Sequence, residues 1–493
     1  MIALHLPALQ VLLPLLAAPL CALFRRGLVA WAITLIASWL AFVAAIMLLL
    51  RVIDQGVISY ELGGWAPPIG IEYRVDLINA FVLLVVTAIG AVIVPYARKS
   101  IEARFGSVDQ AWFYTMYLLA LTGLLGVTIT GDAFNIFVFL EISSLASYVM
   151  IAMGRERRCL TAAYQYLIMG TVGATFIVIG IGLLWAMTGT LNLNDLAQRL
   201  PEIENTRPVL AALAFLTVGI SLKLALFPLH LWLPNAYAYA PTVTSAFLSG
   251  TATKVAIYLL LRFFYTVFGG GTFFEATPLP EILLILSLVA MFAASTVAVF
   301  QSNVKRMLAY SSVAQIGFIT LGISFATETG LTGAMTHMFN HAIMKAGLFL
   351  LIGNVLFQLG SVKIEDLAGI GRKMPVTMAG FVIMGLSLLG TPGTVGFISK
   401  WYLGLAAVEQ GQWWLVALIV IASVITMLYI GRVVEVAYFR EPTEKVAQLR
   451  EAPLSLLLPA FALVGAAIYF GLDTSVSVGR AQHAARLLLN AMY

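Results

Sequence analysis

Charge is scarce in this chain: only 10% of its 493 residues are Asp, Glu, Lys or Arg, against about 25% in ordinary soluble domains. Cysteine is scarcer still. Cys21 and Cys159 have no metal or disulfide spacing, which excludes a cysteine-held iron–sulfur cluster and a disulfide framework. There is no phosphate loop, no dinucleotide fingerprint and no convincing haem ligand pair, so any redox chemistry belongs to another chain and no cofactor is expected. The net charge of +5 does not imply nucleic acid, because the cations are dispersed among short loops. A basic leader is also missing. Arg25 and Arg26 follow the first apolar run instead of preceding it, which predicts a retained first helix and not a cleaved signal.

What fills the chain is hydrophobic sequence, 61% of all residues. Apolar windows of about 20 residues mark membrane-spanning helices. Fourteen are predicted, near 5–23, 29–51, 77–97, 112–130, 133–153, 161–187, 208–228, 242–266, 281–301, 307–325, 330–358, 375–406, 412–437 and 453–472. Basic residues such as Arg25, Arg98, Arg155, Lys305, Arg372 and Arg432 fall in alternate loops, while the intervening loops are acidic. Positive loops mark the cytoplasmic side, so both termini are expected outside a cell (inner) membrane. The fold class is all-α and polytopic.

Three stretches depart from plain spans. Residues 54–75, with Gly63-Gly64 and Pro67-Pro68, read as an extracellular turn or hairpin. Residues 192–200 read as a short amphipathic helix, and 474–490 as an amphipathic helix on the outer surface or against a partner. Proline removes a backbone donor, so Pro228 predicts a break in the seventh span, and Gly390-Thr391-Pro392-Gly393 a break in the twelfth. Each interruption has a lysine nearby. Spans 4–8 and 9–13 then read as two inverted five-helix repeats, the arrangement that points to a transport site. The corresponding segments are 1–105, an N-terminal three-helix part; 106–270 and 271–440, the repeats; and 441–493, a last span with its amphipathic tail.

Ionisable groups at membrane depth cost about 2.5 to 3.5 kcal/mol each, so their positions are informative. Lys223 and Lys254 lie far from the ends of their runs, and Glu141 is the one acid at similar depth. A Glu141–Lys223 pair would either gate a proton pathway or lock two helices together. Lys254, Lys345 and Lys400 have no second carboxylate to share, and must be hydrated or readily deprotonated. His337, His341 and Lys345 recur every four residues and so share one helical stripe. Histidine titrates near neutrality, which fits a proton wire; zinc held at i and i+4, or a packed structural role, are the alternatives. Lys400 could reach the outer interface instead, beside Trp401. His230 follows Pro228 and could carry protons on the inner side or be an interfacial histidine. Ser143, Ser144, Thr251, Thr253 and Tyr258 could hold water near the carriers or act as packing glue.

These residues, with the runs FPLHLWLP (227–234) and LAYSSVAQIGF (308–318) and the break at Pro392, resemble the antiporter-like subunit family of Mrp-type sodium/proton antiporters, respiratory complex I and membrane-bound hydrogenases. The likeness covers nearly the whole chain and is strongest over 110–405. Lysine at 400, the segment HMFNHAIMK (337–345) and the length look most like the Mrp D-type polypeptide, although NAYAYAP (235–241) departs from the usual wording. The resemblance assigns proton transfer to Glu141, Lys223, Lys254, His337, His341 and Lys400. It implies a proton-translocating subunit of a sodium/proton antiporter complex. Its partners would be other membrane subunits, including further antiporter-like chains. The alternative is the pumping arm of an NADH–quinone oxidoreductase or hydrogenase.

Overall fold

The computed structural model describes residues 2–269 and 274–490. Its helices, in chain order, are α1 (Leu6–Phe24), α2 (Gly27–Gln55), α3 (Leu77–Glu102), α4 (Ser107–Ile129), α5 (Ala133–Ala152) and α6 (Arg158–Thr188). A short α7 (Leu193–Arg199) precedes α8 (Thr206–Leu224), α9 (Trp232–Tyr239), α10 (Thr242–Gly250) and α11 (Ala252–Leu261), the last running on as a π turn over Arg262–Val267. Then come α12 (Leu279–Val299), α13 (Val304–Ser324), α14 (Glu328–Leu359), α15 (Pro375–Leu389), α16 (Val395–Glu409), α17 (Trp414–Phe439), α18 (Glu444–Ala447), α19 (Leu454–Leu472) and α20 (Ser477–Asn490). Among the described residues 13 helices are long and apolar enough to cross a membrane, or 14 if the pair Ile364–Arg372 and Pro375–Leu389, bent by 113°, counts as one.

The seventh, eighth and twelfth spans are interrupted. The seventh ends at Leu224, four residues before Pro228, because Ala225 takes a left-handed conformation (φ 62°). Helix resumes at Trp232, whose indole stacks on Tyr166 of α6 (3.9 Å, 4°) and donates to the Leu222 carbonyl at 2.9 Å. That bond satisfies one of the carbonyls a helix end leaves open. The twelfth span divides into α15 and α16, of 15 residues each, around Gly390 (φ 96°). The eighth breaks at Thr251 (φ −127°, ψ −61°), where no proline announces it. Here α10 passes close to α14: a Cβ on Gly250 would lie 3.4 Å from Ala346 Cβ and 3.5 Å from the Ala342 carbonyl oxygen.

Residues 54–75 form the hairpin, β1 (Ile58–Glu61) antiparallel to β2 (Glu72–Val75), with Ile58 opposite Val75 and Glu61 opposite Glu72. Both ends of the described chain meet this face. His5 hydrogen-bonds Tyr60, while Arg486 of α20 pairs with Glu328 at 2.7 Å. The amphipathic α20 therefore covers its own chain, with Val478, Ala481, Ala484, Ala485 and Leu488 buried. The opposite face gathers the basic loops: Arg155 donates to the Ala103 carbonyl and Lys305 to the Ala240 carbonyl. Lys305, a loop charge by sequence, is buried in the first turn of α13.

The central helices are the buried ones. In α13 and in the α10–α11 span 94% of the best apolar window is buried, against 33% in α17. A helix buried on all sides needs no amphipathic stripe, so its polar residues stand out as an interior row.

Candidate functional site

Buried polar side chains stand on α13 and α14 and on the broken helices around them. Lys223, in the last turn of α8, ion-pairs with Glu141 of α5 at 3.0 Å and donates to Ser144 Oγ at 2.9 Å. The lysine side chain is 4% exposed and the carboxylate 24%, so the pair sits at the edge of the interior with its acid outermost. Glu141 and Ser144 are three apart and share a helical face, which is why one ammonium reaches both.

Lys254 is wholly buried, three residues past the break at Thr251. Its ammonium reaches back across the break to the Ser249 carbonyl and to Thr253 Oγ1 at 3.3 Å. Lys345 is equally buried, held by the Leu308 carbonyl at 2.9 Å and by the Ser311 hydroxyl, both on α13. No carboxylate pairs with either among the described residues. Each ammonium is held by neutral oxygens alone.

The two histidines of α14 precede Lys345 by one and two steps of four residues. Their rings are nearly parallel, with centroids 6.2 Å apart. His337 is bonded at both nitrogens, Nδ1 to Ser399 Oγ at 2.8 Å and Nε2 to Gln315 Oε1 at 2.9 Å. Hydroxyl and amide groups can each donate or accept, so this chain can run in either direction. Among the described residues, both nitrogens of His341 are buried without a protein partner, as are Thr336 Oγ1 and Asn340 Oδ1 on the same helix, Gln315 Nε2 on α13 and Ser387 Oγ on α15. Buried polar atoms are ordinarily satisfied, and where protein does not do so, internal water does.

Lys400 does not reach for the interface. Its ammonium turns inward to the carbonyls of Leu389 (2.8 Å) and Leu388 (3.2 Å) and to Ser423 Oγ (2.8 Å), and lies 4.8 Å from the centre of the Phe318 ring. Trp401, by contrast, is 61% exposed. Lys400 lines an almost wholly apolar groove of about 670 Å³ between α16 and α17. His230 stands apart from this group, in the link after α8, stacked on Phe227 (5.0 Å) with Nδ1 unpartnered.

Sequence reasoning missed one buried pair, Arg262 of the π turn with Asp76 at the start of α3, at 2.5 Å. Asp76 falls in an acidic loop by sequence. The four-residue spacing of Lys254, Tyr258 and Arg262 is the signal that could have drawn attention to it.

Comparison with known proteins gives this interior a context. A relative from Desulforudis audaxviator, named NADH-quinone oxidoreductase subunit N, is 40% identical over 95% of this chain and 96% of its own length. The D-type polypeptide of the Na(+)/H(+) antiporter of Alkalihalophilus pseudofirmus is 30% identical over 87% of this chain and 85% of its own. Among solved structures, a chain of the Mrp complex from Dietzia sp. DQ12-45-1b superposes with a TM-score of 0.91 at 25% identity, covering 99% of this chain and 98% of that one. The family model described as NADH:quinone oxidoreductase/Mrp antiporter, TM, matches residues 130–426, from the end of α4 to within α17. This chain belongs to that family of antiporter-like, multi-pass membrane subunits.

Proposed function

We propose that this antiporter-like subunit moves protons through a mid-membrane relay of Glu141, Lys223, Lys254, His341, His337 and Lys400, as part of a Mrp-type complex that exchanges sodium for protons. The carrying observation is the imbalance in the interior. Lys223, Lys254, Lys345 and Lys400 are all at most 8% exposed, yet among the described residues only Lys223 has a carboxylate partner. A buried cation without a counter-charge is costly as a structural device and useful as a proton carrier. Glu141 gates the relay: while the pair is closed Lys223 keeps its proton, and when it opens the ammonium is destabilised and the proton passes on. Lys345 and His230 serve as side stations. The chain is read as lying in the cell membrane with both termini outside, and its two broken halves as inverted repeats. Its partners are read as other membrane subunits, including further antiporter-like chains.

The test is Glu141→Ala or Lys223→Ala in the assembled complex in vesicles, measuring ΔpH-driven sodium/proton exchange. The reading expects a loss of at least about tenfold. Full exchange with normal assembly would remove the gating role.

A second reading is supported by the 40% identical relative's name: the same residues driven by a redox reaction in partner chains, as in an NADH–quinone oxidoreductase. The chains that copurify distinguish the two. Partners bearing iron–sulfur motifs favour the redox drive, and small partners without them favour exchange. A purely scaffolding role fails if neutralising Lys223, Lys254 and Lys400 together abolishes transport in an assembled complex.

A further inference from the structure

Lys254 also heads a polar stripe on its own helix. Lys254, Tyr258 and Arg262 stand four residues apart on one stripe, where successive Cβ atoms lie about 5–6 Å apart. The Tyr258 hydroxyl donates to the Thr128 carbonyl at 2.9 Å and accepts from Arg262 Nε at 3.0 Å. Arg262 continues the line to Asp76 Oδ2 and opens the π turn, a widened backbone that recurs at functional sites. Beside the pair is a cavity of about 180 Å³ at the hairpin face, lined by Arg74, Asp76, Asn79, Thr130, Tyr258 and Arg262 among others, with Leu487 of α20 also in its wall. At about 30 Å³ per water such a space holds several molecules.

We propose that Asp76 and Arg262 form a gate that connects Lys254 to the hairpin face, a branch separate from Lys400; this rests on the reading of Lys254 as a proton carrier. A static staple is the competing explanation for the pair, but a well-packed staple would not border a water-sized cavity into which its own charged groups open, and buried ion pairs seldom out-stabilise apolar contacts. Asp76 also divides its two oxygens. Oδ1 accepts from the backbone of Ile78 and Asn79 and so caps α3, while Oδ2 faces Arg262, leaving one oxygen free for a gate without disturbing the helix start.

With the pair closed, Arg262 bridges Asp76 and Tyr258, and its guanidinium, 5.3 Å from the centre of the tyrosine ring, repels protons by its fixed charge. When the Asp76 pair opens, Arg262 swings away from Tyr258 into the cavity and the hydroxyl can relay. Once its ammonium leaves the Ser249 carbonyl and turns along the stripe, Lys254 gives a proton to the tyrosine oxygen as the phenolic proton leaves for water in the cavity. Lysine and tyrosine both end neutral, and one proton has moved.

The experiment uses the assembled complex in sealed vesicles, measuring passive proton leak and sodium/proton exchange separately. Arg262→Gln removes the fixed charge and is expected to raise the leak about tenfold, and Tyr258→Phe to lower exchange by a similar factor. The double variant R262Q/Y258F should return the leak to the wild-type level, which a merely structural role for either residue would not produce. Asp76→Asn keeps the α3 cap, since asparagine caps as well as aspartate, and by loosening the pair should also raise the leak. Because it preserves the fold, it decides the matter even if R262Q fails to assemble. A D76N leak equal to wild type overturns the gate, as does a leak of R262Q that persists in the double variant. If E141A or K223A loses exchange while D76N vesicles stay tight, only this branch is wrong; if D76N leaks and E141A exchanges normally, the gating role of Glu141 is wrong instead.

Discussion

At the first break α8 stops beside Lys223, and the lysine meets a full negative charge, Glu141 at 3.0 Å. At the second, α15 stops at Leu389, and Lys400 meets only neutral oxygens, two terminal carbonyls of α15 and Ser423 Oγ. The open carbonyls at a helix C-terminus carry roughly half a negative charge between them, enough to hold a cation but not to fix it as a carboxylate does. Lys254 follows the second pattern, reaching back across its own break to Ser249. The comparison separates a lysine whose charge depends on the movement of a partner from lysines whose charge depends on local dipoles and water. The first is suited to switching, the others to passing a proton on.

Several substitutions bear on this contrast. The largest effect is expected from Glu141→Ala, which strands the Lys223 ammonium: about 3 kcal/mol of stability is lost, at the lower end for breaking a buried pair because the acid is partly exposed. Lys400→Met strands no counter-ion and should leave the melting temperature of the complex nearly unchanged while abolishing exchange. Equal melting losses in the two variants would erase the distinction. Gly390→Ala comes next. The residue has φ 96°, and a Cβ would lie 2.9 Å from Lys400 Cδ, so a loss of about 1–2 kcal/mol and a severalfold slower exchange are expected. Ser423→Ala removes one hydroxyl from Lys400, about 1 kcal/mol, and should slow exchange a few-fold without affecting assembly. The smallest change runs the other way. Ala225→Gly relieves a left-handed alanine and should raise stability by about 0.5–1 kcal/mol in a thermal melt.

Much of this arrangement was legible in the sequence because membrane burial makes polar residues conspicuous. The apolar runs, the hairpin at 54–75, the breaks near Pro228 and Pro392, and the nearness of Glu141 to Lys223 all follow from residue type and depth. The helix end at Leu224 was not legible, since nothing about alanine at 225 announces a left-handed residue. The break at Thr251 was hidden for a similar reason: Gly250-Thr251 is compatible with a continuous helix, and no residue type there marks the turn from α10 to α11. The Asp76–Arg262 pair joins residues 186 apart, a separation that no local pattern encodes. Lys305 looked like a loop charge because positive-inside reasoning counts residues at span ends without asking which way they turn.

The central claim is that buried titratable groups without counter-charges carry protons, and Lys254 tests it most directly. Replaced by methionine, which is similar in length and needs no partner in an apolar interior, it should leave the complex assembled, because no acid is stranded. In sealed vesicles the account predicts that K254M loses ΔpH-driven exchange by at least about tenfold. An assembled K254M complex that exchanges at the wild-type rate would contradict it.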